Sequence, residues 1–131
     1  MIRQFATLIG ISFAVSTIAI NSTIAGEADV VKVKVTQQSN GSYGFQVTVR
    51  HNDEGWDHYA DAWDVISVDG GADGTVYATR VLAHPHENEQ PFTRGKSGVS
   101  IPEGIKSVVV RAHDKVHGYG GETKEVALPG R

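Results

Sequence analysis

The chain has 131 residues, no cysteine and a formal net charge of −3. This acidic balance argues against binding to nucleic acid or to an anionic membrane surface, because both need a basic face. Without cysteine no disulfide can compensate for a modest core, so a small domain of this kind must be stabilised by packing, by a metal ion or by a partner. The absence of a thiolate also excludes a blue-copper site.

The N-terminal segment has the layout of a secretory signal peptide. One early cation, Arg3, precedes an apolar stretch from Phe5 to Ile20, and small and polar residues follow as far as Ala25. A transmembrane anchor is the alternative, but serines and a threonine interrupt the apolar stretch and no cationic cluster follows it. We expect cleavage after Ala25, with residues 1–25 removed. The mature protein would then lie in the periplasm or be secreted, with no membrane attachment.

The rest of the chain alternates apolar and polar residues with the period of two that is typical of β-strands. The clearest segments are "DVVKVKVTQ" and "YGFQVTVRH". Five more predicted strands follow in order, "DAWDVISVDG", "GTVYATRVLAH", "FTRGKSGVSI", "KSVVVRAHD" and "TKEVALP". Turns rich in Gly, Asn, Asp and Pro separate them, and no segment has a helical period. The sequence therefore predicts an all-β fold for residues 26–131, a single immunoglobulin-like or fibronectin-like antiparallel β-sandwich of about seven strands.

The predicted core comes from the inward-facing positions of these strands. Trp63 on the third strand is expected to be the core tryptophan of the sandwich. The expected buried residues are Val47, Val49, Trp63, Val65, Val108 and Val110.

All six histidines fall at three of the predicted loops. The loops after the second, fourth and sixth strands are "HNDEGWDHYAD", "HPHENEQP" and "HDKVHGYGG", and each contains two histidines. Alternate connections of such a sandwich emerge at the same end, so the three loops should lie together. Imidazole is a common ligand of zinc, copper and iron, and several must converge to surround an ion. The sequence therefore predicts a transition-metal site for Cu(II), zinc or, as a third option, iron.

Position along the strands ranks the candidate ligands. The three histidines that end strands should form the centre of the site, because the sheets fix their backbones. These are His51, His84 and His113. The histidines further out in the loops are the next candidates, namely His58, His86 and His117. Neighbouring acids could orient the rings by accepting an N–H bond, and the expected ones are Asp114, Glu87 and Glu89.

A second function stays open beside metal binding. Trp56 and Tyr59 lie in a polar loop and Tyr119 in a glycine-rich one, where aromatic residues more often mark a contact surface than a core. The same loops could therefore belong to a non-catalytic interaction or carrier module that binds a periplasmic protein or a small ligand. Catalysis is less favoured, because no serine has the surroundings of a nucleophile elbow.

Two loops carry resemblances to known families. "HPHENEQPF" followed by "RAHDKVHGYGG" resembles the arrangement in superoxide reductases of the desulfoferrodoxin type, which are immunoglobulin-like and bind iron through several histidines and one cysteine. The resemblance implies iron ligands at His84 and His117, with His113 near the place of the cysteine, which this chain lacks. The His-Pro loop in a small exported sandwich also resembles the sulfur-oxidation carrier subunit SoxZ, which implies a non-catalytic binding role.

Overall fold

The computed structural model describes residues 26–69 and 74–131, and this part of the chain consists of seven β-strands and their connections. The strands are β1 Asp29–Gln37, β2 Tyr43–Arg50, β3 Ala60–Ile66, β4 Val76–Val81, β5 Phe92–Val99, β6 Ser107–Asp114 and β7 Lys124–Ala127. None of the described residues forms a helix of the length and apolarity needed to cross a bilayer. The predicted signal peptide, residues 1–25, lies outside the described residues.

The strands form two antiparallel sheets, of order β1-β2-β5 and β4-β3-β6-β7. The predicted all-β sandwich of seven strands is therefore confirmed. In an immunoglobulin constant domain the fourth strand completes the sheet of the first two strands. Here β4 instead pairs with β3, its neighbour in sequence, so the sandwich has three strands in one sheet and four in the other.

The core fills the space between the sheets because side chains alternate across each strand. On β2, Tyr43, Phe45, Val47 and Val49 are all fully buried, while the residues between them are not. Burial of a large apolar side chain stabilises the fold by about 1.5–3 kcal/mol each. The six residues expected in the core are confirmed there: Val47, Val49, Trp63, Val65, Val108 and Val110 all have no exposed surface.

One end of the sandwich gathers all the histidine-bearing segments. Successive strands run in opposite directions, so β2, β4 and β6 all finish at the same end, where β1 begins. We call this end the histidine pole. It comprises the β2–β3 loop (residues 51–59), the β4–β5 loop (82–91), the end of β6 with the β6–β7 loop (113–123), and the segment that enters β1 (26–28).

Candidate metal centre

The carboxylate of Asp114, the last residue of β6, lies at the centre of the histidine pole. It is fully buried. Its Oδ2 lies 3.0 Å from His51 Nε2, 2.7 Å from His58 Nε2 and 2.9 Å from His117 Nδ1. Its Oδ1 accepts a bond of 2.5 Å from the backbone N–H of His117. One carboxylate thus binds three imidazoles from two loops, and we call these four residues the Asp114 cluster.

The electrostatics of the cluster favour an ionised carboxylate. Burial by itself raises the pKa of Asp114, but hydrogen bonds from His117, His58 and His51 outweigh burial and hold this pKa at about 2. The same contact, with Asp114 as hydrogen-bond acceptor, raises the pKa of His117 above its usual value. The buried carboxylate of Asp114 is therefore ionised at neutral pH.

The backbone carbonyl of Gly26 adds a further oxygen to the cluster. It lies 3.1 Å from His51 Nε2 and 3.3 Å from His58 Nε2. Gly26 is buried. The segment that carries it is held by the β6–β7 loop, since the Val30 N–H donates to the Glu122 carbonyl at 2.8 Å and the Glu122 N–H donates to Asp29 Oδ1 at 2.7 Å.

Asp53 determines which nitrogen of His51 faces the cluster. Both oxygens of Asp53 accept backbone N–H bonds, Oδ1 from Ala60 at 3.0 Å and Oδ2 from His86 at 2.5 Å, as an ionised carboxylate does. Asp53 Oδ1 also lies 2.6 Å from His51 Nδ1, which therefore carries the proton of this hydrogen bond. This pairing of a carboxylate with the remote nitrogen of an imidazole is the usual support of a metal-binding histidine.

His51 Nε2 donates a hydrogen bond to Asp114 when both nitrogens of its ring are protonated, and it cannot do so when the ring is neutral with its proton on Nδ1. In a neutral ring that is protonated at Nδ1, the Nε2 atom of His51 has only a lone pair to offer. It faces Asp114 Oδ2 and the Gly26 carbonyl oxygen, and both of these atoms are acceptors. Acceptors that face one another at this distance repel unless a positive charge lies between them. A proton on Nε2 or a metal cation would supply that charge.

The spacing of the donor atoms suits a cation after a small expansion. One ligand atom from each of His51, His58 and Asp114 lies within 4.8 Å of the others. Ligands bound at about 2.0–2.1 Å in a tetrahedron lie about 3.3 Å apart. The two nitrogens now lie 3.0 and 2.7 Å from Asp114 Oδ2, so an entering ion would separate the groups by a few tenths of an ångström. Rotations of the side chains can supply that movement.

The chain is similar to a protein of Halomicrobium mukohataei named "Putative lipoprotein". The two are 42% identical over 100 residues, which cover 76% of this chain and 47% of that protein. The chain therefore spans about half the length of the curated relative it matches. No protein-family model matches the chain. No solved structure matches it.

The structure separates the three histidines that the sequence placed at the centre of the site. Only His51 lies in the Asp114 cluster. His113 lies on the other face of the β3–β6 pair, where its Nδ1 is 2.5 Å from Asp61 Oδ1. The reason is that side chains alternate along a strand. Asp114 has the same inward orientation as Val108 and Val110, so the adjacent His113 points outward. The centre of the site is therefore filled by a carboxylate that we had expected only to orient a ligand.

The β4–β5 loop keeps its two histidines apart from the cluster. His84 is exposed, and its ring lies 4.5 Å from that of His86. His86 is buried, stacks on Phe92 at 3.9 Å and accepts a bond of 2.9 Å from Arg94. Burial, and next the charge of Arg94, lower the pKa of His86. His86 is thus a neutral residue that packs against Phe92, and its ring does not contact the Asp114 cluster.

The remaining predicted residues also take varied places. Glu89 accepts a bond of 3.2 Å from Arg94, and Glu87 lies in an open cleft together with Trp56. Neither acid accepts a hydrogen bond from a ring of the Asp114 cluster. Asp53 fills that role, and its position two residues after His51 is the feature of the sequence that could have indicated it. Tyr59 was expected at a contact surface, but it is only 8% exposed and packs against Trp56. Trp56 and Tyr119 are exposed, at 63% and 47%.

Proposed function

We propose that this protein is an exported metal-binding protein that holds a transition-metal ion in the Asp114 cluster. The observation that carries the proposal is the buried convergence of His51 Nε2, His58 Nε2 and Asp114 Oδ2, with His51 Nε2 facing two oxygen atoms. Export is supported by the predicted signal peptide. The name of the Halomicrobium protein, a lipoprotein, agrees with a place at the cell envelope.

The donor set restricts the metal. Imidazole nitrogen and carboxylate oxygen suit Cu(II), zinc and iron(II), and two histidines with one carboxylate form a set known for non-haem iron(II). Cu(I) is disfavoured, because the described residues offer neither a thiolate nor a thioether. Cu(II), zinc and iron(II) are therefore the ions to test.

The burial of the cluster favours holding or delivering the ion over catalysis on it. The side chains of His51 and Asp114 are fully buried, that of His58 is 14% exposed, and that of His117 is 34% exposed. The ion would thus exchange at the side of His117, which can swing away without disturbing a strand. A catalytic centre needs an open coordination position for substrate, and burial on the His51 side opposes one.

Metal titration of the metal-free protein tests the proposal. The midpoint of thermal unfolding should rise with at least one of Cu(II), zinc and iron(II). The bound ion should add about 2.7 kcal/mol to the free energy of unfolding when free metal is one hundred times its dissociation constant. The shift should be lost in His58→Ala. His84→Ala is the matched control, because His84 lies at the same pole outside the cluster, and it should keep the shift. If the parent shows no shift with any of the three ions, the protein is not a metal-binding protein of this kind.

The second candidate function, an interaction or carrier module, rests on a different observation. Trp56 is 63% exposed beside the open cleft that includes His84, Pro85 and Glu87. Exposed tryptophan is common at binding hot spots. A pull-down from periplasmic extract would compare the metal-free parent, His58→Ala and Trp56→Ala. Capture of one protein by the first two forms but not by Trp56→Ala would favour this function. Equal capture by all three would remove it.

A further inference from the structure

The segment before β1 places the first residue of the predicted mature chain against the Asp114 cluster. Gly26 is buried, and its carbonyl oxygen lies 3.1 Å from His51 Nε2 and 3.3 Å from His58 Nε2. Three bonds join the nitrogen of a residue to its carbonyl oxygen, so the two atoms are at most about 3.6 Å apart. The Gly26 nitrogen therefore lies within about 3.6 Å of an oxygen atom that borders the cluster.

Contacts downstream of Gly26 fix this position. The register of β1 pairs Asp29 with Arg50, directly before His51. The β6–β7 loop holds the other side through the Val30–Glu122 and Glu122–Asp29 hydrogen bonds. A Cβ on Gly121 would come within 2.0 Å of the Ala28 carbonyl oxygen, so the loop and the entering segment are in direct backbone contact. None of these contacts involves residues 1–25, so we expect them to persist after cleavage.

We infer that the free amino group of Gly26 is a ligand of the ion in the Asp114 cluster, an inference that rests on the proposed function and on cleavage after Ala25. While Ala25 is attached, the Gly26 nitrogen is an amide and has no lone pair available for a metal. After cleavage it is an amine, a nitrogen donor of the kind that Cu(II) and zinc accept once deprotonated. The amine and the carbonyl oxygen of Gly26 can then close a five-membered chelate ring. Removal of the leader thereby completes the metal site, so a precursor in the cytoplasm holds the ion more weakly than the exported protein.

The test compares a free with a blocked amino terminus. The full chain is expressed with its leader in a bacterial host, and the mass of the exported protein identifies its first residue. Protein that begins at Gly26 is then prepared with a free and with an acetylated terminus, and both are titrated with Cu(II) and with zinc. Circular dichroism and urea unfolding of the metal-free forms check that acetylation leaves the fold intact. Electron paramagnetic resonance of the Cu(II) forms reports the number of coordinated nitrogens.

The free form should bind at least one of the two ions about tenfold or more tightly than the acetylated form, and it should show one more coordinated nitrogen. His58→Ala in the free form should weaken binding as well. Equal affinity and equal spectra in the two forms would overturn the inference and leave the proposed function standing. Absence of Cu(II) and zinc binding by the free form would overturn the inference, and absence of iron(II) binding as well would overturn the proposed function. An exported protein that begins at a residue other than Gly26 would overturn the inference alone.

Discussion

The Asp53 carboxylate lies 2.6 Å from His51 Nδ1, and this hydrogen bond turns His51 Nε2 toward Asp114. The same carboxylate receives the backbone N–H groups of Ala60 and His86, so it joins the β2–β3 loop to the β4–β5 loop. Asp53 is 6% exposed and is held from three sides. Orientation of a ligand and connection of two loops therefore depend on one buried side chain.

Asp53→Asn should weaken both metal binding and the fold. The substitution replaces one acceptor oxygen with an NH2 group that cannot receive a backbone N–H. Loss of the partner that orients a ligating histidine should lower the metal affinity about 10–100-fold. The unfolding free energy should fall by about 1–3 kcal/mol, the usual cost of an unsatisfied buried group. Calorimetric titration with zinc and urea unfolding measure the two effects. Asp57→Asn, an exposed position in the same loop, should change neither, and a similar loss there would refute the role of Asp53.

Asp114→Asn should reduce the acid sensitivity of the metal-free protein below pH 4. The pKa of Asp114 is about 2 in the fold against 3.8 without it, so the folded state favours the ionised form. This contribution to stability is complete above pH 3.8 and is lost as the pH falls through about 2, and it amounts to about 2 kcal/mol. Urea unfolding at pH 7, 4 and 2.5 should show a steeper decline for the parent than for the variant. Parallel declines would show that the hydrogen bonds to Asp114 do not stabilise its charge.

His86→Gln should flatten the pH dependence of stability between pH 7 and 5. Burial and Arg94 lower the pKa of His86, so the unfolded state takes up a proton more readily than the folded state. The stability associated with a neutral His86 is present above pH 6.5 and declines as the pH falls below that value. Gln can still accept the hydrogen bond from Arg94 but does not titrate. The difference between parent and variant isolates His86 from the other histidines. A difference that stays constant with pH would contradict the lowered pKa.

Tyr119→Phe should destabilise the outer face of the four-stranded sheet without affecting metal binding. The Tyr119 hydroxyl donates to Asp64 Oδ2 at 2.7 Å, and its ring lies against the Arg111 guanidinium at 3.8 Å. Loss of a hydrogen bond to a charged group costs about 1.5–3 kcal/mol. Burial, and next Asp64, raise the pKa of Tyr119, so this hydroxyl stabilises the fold up to pH 10. Urea unfolding and zinc titration of the same sample check both parts. A large loss of zinc affinity would mean that the two faces are coupled.

Gly121→Ala should weaken metal binding through the backbone, whereas its neighbour Gly120→Ala should not. A Cβ at Gly121 meets the Ala28 carbonyl oxygen at 2.0 Å, and backbone must move to admit it. The three atoms nearest to a Cβ at Gly120 all belong to the side chain of Glu27, which can rotate away. Displacement of the segment before β1 moves the Gly26 carbonyl from the Asp114 cluster. Zinc titration of the two variants should therefore give a lower affinity for Gly121→Ala alone. Equal affinities would show that this segment does not support the site.

Local pattern was sufficient for the strands, the core and the histidine pole. Alternation with a period of two is a property of neighbouring residues, and it places Val47, Val49, Val108 and Val110 inward without knowledge of their partners. The pole follows from the antiparallel order of the strands, which brings every second connection to one end. The same parity, continued from Val110 to the end of β6, directs Asp114 inward and His113 outward, but our ranking of ligands by strand ends did not apply it.

Only the tertiary structure decided which groups converge within the pole. His58 lies at the far end of a nine-residue loop, residues 51–59, and Gly26 lies in a segment held by a loop about ninety residues later in the chain. Their positions depend on hydrogen bonds between segments that are distant in sequence, and composition and spacing do not encode the conformation of such loops. Sequence determined the face on which each strand residue lies, because that depends on parity alone. Tertiary contacts determined the geometry of the candidate metal site, because it depends on how the loops pack against one another.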